Sequence, residues 1–131
     1  RMSEIEAAWL RLALHAVDAD VARRRQIAAA YRNAAPDLWW QTTDPSHAYH
    51  LTVFRSRHRD SVREALRQAG VATAVHYPLA ITQQPAYRDL PHADCANAEA
   101  WAAECISVPC FPEMTDAEVE HVSAALADVH A

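Results

Sequence analysis

A chain of 131 residues, with 51% hydrophobic and 22% charged side chains, is sized for one domain that buries roughly two-thirds of the surface its unfolded form exposes. Twelve basic residues against seventeen acidic ones leave a net charge of −5, which excludes general nucleic-acid binding, where a basic face neutralises phosphates. With no run of about eighteen apolar residues and no signal-peptide order at the start, a soluble cytoplasmic protein without membrane partners is expected.

The first segment places Met2, Ile5, Trp9, Leu12 and Ala16 at spacings of three and four, one apolar face of a helix. Ser3 and Glu6 form a capping box in which each side chain takes the other's backbone N–H, so the helix is expected to start near residue 3. A second helical pattern covers residues 18–32, with Val21, Ala28 and Tyr31 inward and Arg23, Arg24 and Arg25 toward solvent. Consecutive helical residues point about 100° apart, so these three arginines do not converge on one small anion. Pro36 ends the pattern by biasing Ala35 away from the helical region.

Residues 48–55 alternate Tyr49, Leu51 and Val53 with His50, Thr52 and Phe54, the period of a strand covered at least partly on both faces. A helix follows with Val62, Ala65, Leu66 and Ala69 inward. The chain's single glycine, Gly70, is placed to close it in the left-handed conformation. Residues 71–77 then read as another strand. Asp94 is a cap for a helix over 95–105, residues 106–108 make a short strand, and Pro109 and Pro112 bracket a turn. Thr115 and Glu118 form a second capping box, ahead of Val119, Val122, Leu126 and Val129 on one face of a last helix.

The expected fold class is therefore α/β, in the α+β sense: a helical pair over residues 1–35, then over 36–131 a small, mostly antiparallel sheet of about three strands packed with helices. Cys95, Cys105 and Cys110 fit no zinc spacing and are read as buried or idle thiols. His47 and His50, three apart, point to opposite faces of a strand, which argues against a shared metal ion. Arg55, Arg57, His58 and Arg59 read as a solvated strand-to-helix loop, and Trp39 and Trp40 as packing or interface residues.

Four short segments occur in an order that resembles one family. These are Arg1-Met2-Ser3-Glu4-Ile5-Glu6-Ala7-Ala8, Ala48-Tyr49-His50-Leu51, His76-Tyr77-Pro78 running on to Gln84-Pro85, and Ile106-Ser107-Val108-Pro109-Cys110-Phe111-Pro112. Together they resemble the C-terminal small domain of the DegT/DnrJ/EryC1/StrS sugar aminotransferases, pyridoxal-phosphate enzymes of fold type I. The resemblance implies transfer of an amino group from an amino acid to a nucleotide-linked keto sugar, in a homo-oligomer.

In that family the lysine that holds the cofactor belongs to a large domain that precedes this segment. All twelve basic residues here are arginine, so the resemblance implies a chain that holds no pyridoxal phosphate covalently and is inactive alone. Arg1 is the implied group beside the cofactor phosphate of a neighbouring subunit. His76, Tyr77 and Gln84 are the implied substrate-side groups, an imidazole, a phenol and an amide suited to sugar hydroxyls or diphosphate oxygens. The competing readings are a His76 bonded to a nearby carbonyl and a Tyr77 packed under its loop.

The chain departs from the family pattern His-Tyr-Pro-x-Pro-x-His-x-Gln-Pro at Ala80 and Thr82. A hydroxyl at 82 bonds an oxygen but does not become cationic near neutral pH as histidine does. The alternative class of function is a freestanding, non-catalytic interaction module that kept this fold.

Overall fold

The computed structural model describes residues 2–129. Its elements are helix α1 (Glu4–Ala13), helix α2 (Val17–Ala34), strand β1 (Trp39–Trp40), strand β2 (Thr52–Arg55), helix α3 (Arg59–Gln68), helix α4 (Ala96–Glu104), strand β3 (Cys105–Val108) and helix α5 (Asp116–Ala127), with a 3-10 turn at Ile81–Gln83. The sheet has the order β1-β2-β3, antiparallel throughout, with Trp40 opposite Phe54 and Val53 opposite Ser107.

Both expected capping boxes form. Ser3 N–H donates to Glu6 at 2.7 Å and Glu6 N–H to the Ser3 hydroxyl at 3.2 Å; Thr115 and Glu118 do the same at 2.7 and 3.3 Å. These bonds favour the ionised carboxylates and hold Glu6 and Glu118 below the usual range. For α4 the cap falls one residue later than expected, at Cys95, while Asp94 still accepts from the Ala96 N–H at 3.1 Å.

Gly70 ends α3 with φ +79°. Its N–H donates to the Arg67 carbonyl at 3.0 Å and that of Val71 to Leu66 at 2.8 Å, the paired bonds of a Schellman ending. From α5, the His121 ring donates to the Ala69 carbonyl at 2.8 Å, satisfying another otherwise unpaired acceptor at the helix end.

The core lies between α2, α5 and the sheet. Ile27, Tyr31, Phe54, Leu66, Ile106 and Leu126 are almost completely enclosed. Tyr31 reaches this depth because its hydroxyl donates to the Pro109 carbonyl at 3.0 Å, and burial pushes its phenol well above the ordinary value.

Two expected strands are shortened. Only residues 52–55 of the 48–55 segment pair, because Tyr49 turns the chain at φ +48° and its N–H donates to the His47 ring at 2.8 Å. The 71–77 segment contributes a single bridge, Ala74 to Ser107, with bonds of 3.0 and 2.8 Å. Conversely, Trp39–Trp40 forms a strand, since Arg55 and Phe54 lie opposite to receive it.

The three consecutive arginines diverge as their angular spacing requires, but Arg23 does not point to bulk solvent. It bonds the Met114 carbonyl at 2.8 Å and Asp116 at 2.7 Å, linking α2 to the start of α5. Arg25 bonds the His47 carbonyl at 2.9 Å. Helix α1 buries no residue, and the apolar face read from the sequence stands open, with Ile5 84% and Trp9 70% exposed.

Among the described residues a β-carbon at position 70 meets only His121 Nε2, at 3.7 Å, so the cost of Gly70→Ala is the left-handed backbone itself. Chemical denaturation is expected to show a loss of about 1–2 kcal/mol.

Candidate functional site

Strand β3 builds one cleft from both of its edges. On one side it pairs with β2; on the other, the Ala74 bridge holds the segment that leads into His76. The Cys105 thiol adds a bond to the His76 carbonyl at 3.5 Å, and burial pushes that thiol's pKa up, keeping it a protonated donor. Beyond His76 the backbone enters the left-handed region at Tyr77, φ +42°. This throws the phenol outward, 79% exposed.

The opposite wall is α4. Between the walls lies a cleft of about 800 Å³ into which His76, Tyr77, Thr82, Gln84 and Trp101 all face, within the usual range for small-molecule sites. Ala80, Ile81, Ala98 and Ala102 supply its apolar lining. The three substrate-side residues chosen from the sequence are therefore brought into one concavity. Arg1 lies outside the described residues.

Among the described residues the His76 ring bonds no carbonyl: Nδ1 stands 2.8 Å from the hydroxyl of Ser107 on β3. Nor is Tyr77 packed beneath its loop. Thr82 donates to the Glu99 carboxylate on α4 at 3.1 Å, so its hydroxyl ties the 3-10 turn to the facing wall. The Gln83 side chain accepts the Ala80 N–H at 3.1 Å, bracing the same turn from within.

Sequence reasoning missed Trp101 and the device that seats it. Arg55, expected in a solvated loop, is 8% exposed. Its guanidinium lies 3.9 Å from the Trp39 ring centroid and 5.0 Å from that of Trp101. Nε and one terminal nitrogen both donate to a single Glu104 oxygen, at 3.0 and 2.7 Å. A buried guanidinium needs a carboxylate and flat partners to replace water, and here β1 and α4 provide them. No local signal in the sequence joins Arg55 to residues 49 positions away.

This geometry defines an α/β domain with an open cleft that mixes a few polar groups with apolar walls. The family model of the DegT/DnrJ/EryC1/StrS aminotransferases matches residues 1–127; the chain belongs to that family. It is similar to the erythromycin biosynthesis sensory transduction protein EryC1 of Saccharopolyspora erythraea, at 36% identity over 96% of this chain and 36% of that protein. It is also similar to the dTDP-3-amino-3,6-dideoxy-alpha-D-galactopyranose transaminase of Aneurinibacillus thermoaerophilus, at 34% identity over 96% of this chain and 36% of that one.

Among solved structures, DesV of S. venezuelae in complex with a ketimine intermediate superposes with a TM-score of 0.91 at 30% identity, over 98% of this chain and 36% of DesV. The chain thus spans about a third of the length of the relatives it matches. The resemblance read from the four segments is borne out, as is the small antiparallel sheet of three strands packed with helices. Among the described residues, no helix is long and apolar enough to cross a membrane.

Glu104→Ala strands the enclosed Arg55 charge. It is expected to cost about 3 kcal/mol in urea unfolding, with Trp101 fluorescence shifting as its stacked partner is freed.

Proposed function

We propose that this chain is the C-terminal domain of a pyridoxal-phosphate-dependent aminotransferase acting on a nucleotide-linked keto sugar, supplying the substrate-side wall and subunit contacts. The observation that supports it most is the gathering of His76, Tyr77 and Gln84 into one cleft in a chain of this aminotransferase family. One of the relatives is a transaminase of a dTDP-linked amino sugar, which agrees with that reading.

The donor set does not fit covalent attachment of the cofactor. A Schiff base needs a lysine amine, and the 131 residues hold none. The cleft offers an imidazole, a phenol and an amide, which bind and orient but do not form that linkage. In this reading the cofactor and its lysine come from a large domain of the enzyme. Residues 1–35 form the joining pair and residues 36–131 the small domain proper. Arg1 has the role of a phosphate-side group toward a neighbouring subunit, and the location is cytoplasmic.

What these residues do is hold the sugar nucleotide. His76, braced by Ser107, and Gln84 offer hydrogen bonds to sugar or diphosphate oxygens, while Tyr77 stands at the rim. The apolar walls offer surface against which a sugar ring packs. Thr82, already bonded to Glu99, shapes the turn. The position where the family pattern has a titratable ring is here an uncharged brace.

Transamination of a dTDP-linked keto sugar is expected only when residues 1–131 are joined to a lysine-bearing large domain of the family, and not from the chain alone. In the joined enzyme His76→Ala and Gln84→Ala are each expected to raise KM for the sugar nucleotide about tenfold, the equivalent of one hydrogen bond, with the amino-donor KM unchanged. Activity of the chain alone, or unchanged sugar KM values, would count against the proposal.

Homo-oligomer formation belongs to the same reading. The open face of Met2, Ile5, Trp9 and Leu12 is apolar surface of the kind that associates. Sedimentation of the chain is expected to show concentration-dependent self-association that Trp9→Glu reduces.

A further inference from the structure

We propose that Ser107 is a positioning residue that locks neutral His76 in the tautomer with its proton on Nε2, so that the cleft presents a hydrogen-bond donor and selects a ligand oxygen with a free lone pair. This rests on the cleft being the substrate-side wall, but the tautomer is a property of the chain itself.

Ser107 is only 5% exposed, and among the described residues its hydroxyl has one hydrogen-bond partner, His76 Nδ1, at 2.8 Å. A serine hydroxyl carries one proton and two lone pairs. If the ring proton sat on Nδ1 and pointed at Ser107, the serine proton would have no acceptor in an enclosed site, which costs about 1–3 kcal/mol. If the serine donates to Nδ1, every proton is used. The ring proton then lies on Nε2, the nitrogen that Ser107 leaves free. This preference matches a factor of roughly 5 to 150 between tautomers by the same energies.

The backbone makes the geometry stiff enough to matter. Ser107 and Ala74 exchange both backbone bonds, and the Cys105 thiol holds the His76 carbonyl. The ring therefore hangs from a segment fixed on β3 two residues before it and at its own carbonyl. A donor at Nε2 suits a phosphate oxygen, a sugar carbonyl or an ether oxygen. It rejects a group able only to donate, such as an ammonium, by leaving two donors facing each other.

The test is nitrogen-15 NMR of the imidazole rings of the full chain at a pH where His76 is neutral, with His76 assigned by its loss in His76→Gln. Wild type is expected to show Nε2 as the protonated nitrogen and Nδ1 as the bare one, in a single dominant tautomer. Ser107→Ala is expected to shift the ring toward a mixture, and Ser107→Thr, which keeps the hydroxyl, to restore the wild-type pattern. In the enzyme joined to its large domain, Ser107→Ala is expected to raise the sugar-nucleotide KM severalfold, with threonine rescuing it.

Protonation of wild-type His76 on Nδ1, or a pattern indifferent to Ser107→Ala, overturns the proposal without reference to activity. A locked Nε2 tautomer with no binding of dTDP-linked sugar in the joined enzyme would instead sink the functional reading and leave the tautomer intact.

Discussion

The two backbone hydrogen bonds between Ala74 and Ser107, 3.0 and 2.8 Å long, join the sheet to the cleft, and the rest of the site depends on them. Through β2 and β3 they tie the His76 segment to a core enclosed by α2 and α5. Remove them and the segment loses its backbone pairing with β3, leaving the imidazole to be placed by side-chain ties such as Cys105 to the His76 carbonyl and Thr82 to Glu99. A single bridge suffices because it is reinforced: Val71 is anchored by the ending of α3, and the His76 carbonyl by the Cys105 thiol. Short ladders are weak alone and become specific when side chains on the same strand add bonds.

The second constraint is the Arg55 charge. Burying a guanidinium is costly, and the molecule offsets that cost by converging two donors on one Glu104 oxygen and placing the guanidinium carbon over the rings of two indoles. The geometry links the paired strands β1 and β2 to α4. It also decides where Trp101 stands, and with it one wall of the cleft. Arg55, read in the sequence as part of a solvated basic loop, is thus a structural clasp, while Arg57 and His58 of that loop are exposed; Arg23 and Arg25 make separate ties to Met114, Asp116 and His47.

Helix α1 shows the opposite situation. It is well made, with a complete capping box, yet every residue of its apolar stripe stands exposed. Helices form when local bonds and propensity suffice, but an amphipathic stripe is stable in water chiefly when something covers it. The stripe agrees with a chain that spans about a third of its relatives' length. In the proposed enzyme this face meets protein rather than solvent.

Much of the fold was legible from local rules. The Ser3–Glu6 and Thr115–Glu118 boxes, the left-handed Gly70 and the apolar periods of α3 and α5 each act within one or two turns of chain, so their residues announce them. The segment with His76, Tyr77 and Gln84 was likewise visible, through the family pattern it resembles. What only the tertiary structure decided lies between distant residues. The 48–55 and 71–77 segments have strand-like alternation, but their pairing length depends on partners and on Tyr49 and Tyr77 turning left-handed. The positions of Ser107 beneath His76 and Glu104 beneath Arg55 depend on strand register, across 31 and 49 residues respectively. Periodicity reports which side of an element is apolar; it contains no term for which polar group stands opposite.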